Sequence, residues 1–128
     1  MDTTTPEQAE PGLLHFLPPA GFALRESEVL DMVAAARAQE AAWVAIDAHA
    51  LPDDFFRLDS GLAGMALQKL VNYGVRLAVV GDISPWLARS QALSAFVREA
   101  NRGRNTWFVA DRDALRHRLQ VLAGQAGQ

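Results

Sequence analysis

Three short apolar runs punctuate this chain: Trp43–Ile46, Val75–Val80 and Thr106–Ala110. The first shows no alternation between apolar and polar positions, which suits a strand covered on both faces rather than one with a wet side. Helix-length segments separate the three, and that order constrains the fold more than any other feature. Strands alternating with helices make a parallel or mixed sheet, joined by right-handed crossovers and covered by its own helices.

The intervening segments carry the signs of helices. Ser27 to about Ala41 is alanine-rich, with Val29, Leu30, Val33, Ala36 and Ala41 around one face and Ser27 as a candidate cap. Ser60–Tyr73 places Leu62, Ala63, Ala66, Leu67, Leu70 and Val71 inward, and Gly74 suits the position just past its end. Ser84-Pro85 is a strong start, a hydroxyl cap before a proline, for a helix reaching about Ala100. Asp111 is placed to cap a last helix that carries Leu115, Leu119 and Leu122. Leu13–Leu17, stopped by Pro18-Pro19, predicts an edge strand, and Phe22–Leu24 a brief further one. Between Ala50 and Leu58, Leu51-Pro52, Asp53-Asp54 and Phe55-Phe56 predict a turn or short helical connection with its phenylalanines packed down.

The expected architecture is one α/β domain over residues 13–123. Its mixed, mostly parallel sheet has four to five strands covered by about four helices. Residues 1–12, acidic and rich in Pro and Thr, and 124–128 are expected as loose tails. The 128 residues suffice for one core without a staple. Twelve basic against fifteen acidic side chains, a net charge of −3, argue against general binding to nucleic acid or an anionic membrane. The absence of cysteine removes disulfides, thiolate metal sites and cysteine nucleophiles together. No apolar run approaches a bilayer span, and the N-terminus is the reverse of a signal peptide, so a cytoplasmic setting is expected.

Two resemblances follow. The stretch DFFRLDSGLAGMALQKLVNYGVRLAVVGD (54–82), continued by FVREANRGRNTWF (96–108), resembles a bacterial family known as domain of unknown function 4180, over roughly Trp43 to Leu119. It implies relatives rather than an activity. The element order, with Asp-Ser-Gly-Leu opening the second helix, also resembles a STAS domain, the fold of anti-sigma-factor antagonists. In those proteins a kinase phosphorylates the first of two paired hydroxyl residues at this helix start. Aligned on Gly61-Leu62, Ser60 takes the second hydroxyl position and Asp59 stands where the phosphorylated serine would be. A phosphoserine switch at that position is therefore not expected. Aspartate supplies a fixed negative charge instead, at a helix end whose dipole favours it.

The resemblance implies partner contact at the start of the second helix: Asp59, Ser60 and Gly61, with Gly64, Gln68 and Asn72 along one stripe and Lys69 beside it. Asp and Ser are equally at home as plain caps. Glycines inside a helix cost about 1 kcal/mol each, a loss that close packing, inside or outside the chain, would offset. A second group is Asp47, Asp82 and Asp111, each following a strand and so standing at the carboxyl edge, where open α/β sheets bind ligands. They could hold a small ligand or Mg²⁺ for phosphoester chemistry, although no phosphate-loop motif accompanies them. Arg102 and Arg104 beside Asn101 and Gly103 could cradle an anion or simply end a helix, and belong to the opposite edge. His15, His49 and His117 show no metal-ligand spacing, and no nucleophile elbow accompanies the serines. The expected function is a non-catalytic, regulatory protein–protein interaction module with no cofactor and no metal. The alternative is a small-ligand or Mg-dependent phosphoester-binding protein at the carboxyl edge, and a homodimer is compatible with either.

Overall fold

Among the described residues four strands form one sheet: β1 (Leu13–His15), β2 (Trp43–Asp47), β3 (Arg76–Val80) and β4 (Thr106–Val109). The computed structural model describes residues 12–126 of the chain. The strands lie side by side in sequence order, each parallel to the next, with Leu13 opposite Trp43, Trp43 opposite Arg76 and Leu77 opposite Thr106. This is the expected α/β fold, with every pairing parallel.

Phe22–Leu24 forms no strand. Leu24 takes a left-handed φ of 58°, and the Glu28 carboxylate accepts hydrogen bonds from the Ala23 and Arg25 backbone N–H groups at 3.1 and 2.9 Å. Those donors are therefore not available to a ladder. The same carboxylate fixes the entry of α1 (Glu26–Ala38), which starts one residue before the expected Ser27.

α2 (Leu62–Asn72) begins two residues later than expected and ends, as expected, before Gly74. Three 3₁₀ turns, at Ala48–Ala50, Asp53–Phe56 and Leu58–Ser60, bring the chain from β2 to it. The helix expected from Ser84 to Ala100 is two: α3 (Ser84–Leu87) and α4 (Gln91–Arg102). Ser90 separates them. The first ends in a turn at Ala88 and Arg89, and the extended Ser90 caps the second, its hydroxyl accepting from the Leu93 N–H at 3.0 Å. α5 (Arg112–Ala126) starts behind Asp111, whose carboxylate accepts from the Ala114 N–H at 2.8 Å. It runs through 124–126, where a tail was expected. The expected tails otherwise lie outside the described residues, save Gly12.

Sequential order with crossovers of one hand puts the connecting helices on one face. That face carries the larger core: Val44, Ile46, Leu77 and Val79 of the sheet against Met32 and Val33 of α1, Ala66 and Leu70 of α2, and Leu93 and Val97 of α4. Phe55 and Phe56 are buried there, as expected, with Trp86 stacked on Phe56 at 4.1 Å. On the opposite face α5 is the helix that packs down, setting Leu115 against Trp43, Ala45, Ala78, Trp107 and Val109. Trp43 and Trp107 meet at 4.1 Å between ring centroids. No helix among the described residues is long and apolar enough to cross a membrane.

Candidate functional site

At the start of α2 the chain is ordered by its own side chains. The Ser60 hydroxyl donates to the Asp54 carbonyl at 2.6 Å and accepts from the Leu62 N–H at 3.1 Å, so it is fully engaged in closing the last 3₁₀ turn onto the helix. Gly61 follows with φ +80°, a left-handed conformation that costs an L-residue about 1–2 kcal/mol. Backbone geometry thus accounts for Ser60 and Gly61. Asp59 is exposed and makes no hydrogen bond or ion pair among the described residues.

Gly64 is different. Its backbone is not left-handed, and among the described residues a Cβ built on it meets no heavy atom within 4 Å beyond its chain neighbours and its own helix backbone. Gln68 and Asn72 continue the same outer face, the Gln68 amide donating to the Asn72 side-chain oxygen at 2.9 Å, and both are exposed. Val71 lies on this side too and is 41 % exposed, an apolar side chain left to solvent. Lys69 turns toward α1 and pairs with the Glu26 carboxylate. That hydrogen bond lowers the Glu26 pKa and raises that of Lys69. The ammonium tethers two helices, so it is already engaged before any outside acid arrives.

The carboxyl edge gathers two of the three aspartates. Asp47 and Asp111 line a common cleft of about 540 Å³ with His15, His49 and Arg112, floored by Ala45 and Val80 on the face that α5 covers. Asp82 lies outside it. Each aspartate caps a turn or helix: Asp47 accepts from the His49 N–H at 3.0 Å, Asp111 from Ala114, and Asp82 from both the N–H and the hydroxyl of Ser84 at 2.9 and 2.5 Å. The hydroxyl and amide of Ser84 hold Asp82 below the ordinary aspartate range. Among the described residues no three ligating side chains come together to hold a metal ion.

At the amino edge Arg102 and Arg104 share a second, smaller cleft of about 270 Å³ with Trp107, His117 and Arg118. The sequence pointed to the first two and missed the others. Arg118 reads as part of a solvated helix face until α5 is known to lie across Trp107. His15 and Arg112 were missed at the other edge for the same reason, because facing strands and helices bring them together rather than any spacing along the chain.

No curated protein and no solved structure matches this chain. A family model does, over residues 19–119, which spans α1 to the first half of α5 and takes in the α2 face, Asp47, Asp111, Arg102, Arg104 and Arg118, but not His15 or Val121. The chain belongs to the family described as a domain of unknown function, DUF4180.

Proposed function

We propose that this domain works by contact with another protein, through the outer face of α2 formed by Asp59, Gly64, Gln68, Val71 and Asn72. In this reading it is a STAS-like regulatory module of a bacterial cytoplasm that performs no catalysis of its own. Gly64 is the observation that carries the proposal. A glycine in a helical turn loses stability relative to alanine, and among the described residues no close contact or backbone strain at this position offsets the loss. Close approach by a partner backbone supplies the missing reason, and the exposed Val71 supplies apolar area beside it. Lys69, held by Glu26, ties α2 to α1 rather than reaching for the partner.

The test is a quantitative co-purification from cells expressing tagged wild type, Gly64→Arg, or Arg104→Gln as a remote control. The proposal expects one or more proteins captured stoichiometrically by wild type and control and lost with Gly64→Arg. Equal recovery by all three would remove α2 from consideration.

The cleft holding Asp47 and Asp111 favours a second reading, a small-ligand site at the carboxyl edge. Its volume falls within the range of small-molecule pockets, and carboxylates, imidazoles and a guanidinium converge on an apolar floor. It predicts a thermal shift with Mg²⁺ plus a nucleotide or phosphometabolite that Asp47→Asn removes. A flat response across such a panel would leave the reading without support.

A further inference from the structure

The cleft at the amino edge has a one-sided electrostatic character that neither reading above uses. We infer that it is a phosphate-binding site, built from Arg102, Arg104, Arg118 and His117 around Trp107. Among the described residues three guanidinium groups and an imidazole line it and no carboxylate does, in a chain whose net charge is −3. Local charge that runs against the global balance concentrates anions at that spot.

Each arginine stands in a different state, and together they fit an oxyanion. The Arg118 guanidinium lies over the Trp107 ring, 3.9 Å from its centroid, and donates one N–H to the Asn101 carbonyl at 2.9 Å. Those two contacts fix the plane of the fork and leave its remaining donors for a ligand. Burial lowers the Arg118 pKa from its usual value, the sign of a cation that has lost part of its water. Arg104 is exposed and has no acidic or hydrogen-bonding partner among the described residues. Arg102 reaches Glu99 at 3.2 Å, but both side chains are largely exposed, and a surface pair of this kind exchanges cheaply for a better anion.

The end of α4 would otherwise oppose an anion, because the last carbonyls of a helix carry partial negative charge. Here one of them is covered, and so is the carbonyl just past the helix. Arg118 takes the Asn101 carbonyl, and the Trp107 indole N–H donates to the Gly103 carbonyl at 2.8 Å. Trp107 is itself buried, with its face under Arg118, so the indole is closed to a nucleobase. The remaining open wall is Val121, 47 % exposed, which suits the small organic body of a phosphomonoester. The class of ligand is therefore inorganic phosphate or a compact phosphomonoester, held by charge-assisted and forked hydrogen bonds.

The site can be tested with the full chain and inorganic phosphate, following the indole N–H of Trp107 by heteronuclear NMR. The titration is run at constant ionic strength, with sodium chloride as the matched control. The expected result is a saturable shift with phosphate, absent with chloride, whose apparent Kd weakens about tenfold in Arg104→Gln. Arg104 is exposed, and an unchanged spectrum outside the cleft shows that the variant keeps its fold. Arg118→Lys, which retains charge but loses the fork, should weaken binding as well, with the spectrum outside the cleft unchanged. A response that fails to saturate, that chloride reproduces, or that Arg104→Gln leaves unaltered would overturn the inference. None of these outcomes depends on α2 or on the carboxyl-edge cleft.

Discussion

Replacing Gly64 by alanine separates two accounts of the α2 glycines. The added methyl enters open space, since among the described residues no heavy atom beyond its neighbours and own helix backbone lies within 4 Å of its position, and the backbone there is not left-handed. The substitution should therefore return the helical advantage of alanine over glycine, about 0.5–1 kcal/mol, with the lower end favoured because Gly64 sits in the first turn. For a chain of 128 residues this raises Tm by about 2–4 °C. Gly61→Ala should act in the opposite direction. Its φ of +80° forces the new side chain into the left-handed region, at a cost of about 1–2 kcal/mol and a fall of several degrees. Urea denaturation of the three proteins, fitted with a common m, measures both differences. If Gly64→Ala lowers stability, the chain itself needs the glycine and the argument for an outside partner loses its basis. If it raises stability while weakening partner capture, the glycine is kept for contact at the expense of the fold.

Three further outcomes follow from the packing and caps. Ser90→Ala removes the acceptor of the Leu93 N–H and should cost about 1 kcal/mol, read as a lower urea midpoint, with α4 fraying first in hydrogen exchange. Phe55→Ala empties a site that is 1 % exposed beneath Phe56 and Phe108 and should cost about 3–5 kcal/mol, a large part of a typical domain's stability. The Lys69–Glu26 pair should stabilise only within a pH window. The Glu26 pKa is lowered from 4.5, so its share is present above that value and lost as pH falls through the folded value. The Lys69 pKa is raised from 10.5, so its share is full below that value and lost as pH climbs past the folded one. NMR titration of Glu26 in wild type and Lys69→Met checks this, with the carboxylate returning toward its ordinary value in the variant.

The sheet was legible because its signal is local. Trp43–Ile46, the core of Val75–Val80 and Thr106–Val109 are apolar on both sides of the strand, and both sides prove to be covered. The errors lie where a side chain takes over a backbone group. Phe22–Leu24 looks extended and apolar, yet Glu28, several residues on, takes two of the neighbouring N–H groups. Ser90 looks like any helical serine until its hydroxyl is seen to accept from Leu93, and no glycine or proline announces the break at that point. The candidate sites were half legible. Asp47 and Asp111 could be placed at one edge from strand order alone, and Arg102 and Arg104 at the other. That Asp82 stands apart from the cleft, and that Arg118 lies over Trp107, depend on loop course and helix docking, to which spacing along the chain is blind.

Sequential strand order also bears on how the chain is made. Leu13 pairs with Trp43, Trp43 with Arg76, and Leu77 with Thr106, so every ladder joins neighbours about thirty residues apart and none waits for a distant segment. A chain emerging from its N-terminus can lay down each strand beside the one just finished and close the intervening helix over the same face. Loop-closure entropy is then met in three similar instalments rather than one large one, which favours rapid folding for a parallel sheet. The exception is α5, made after all four strands and, among the described residues, the helix that packs over Trp43, Ala45 and Trp107. Until it docks, that face of the nascent sheet lies bare, and this is the interval in which a chaperone or a second copy would find it.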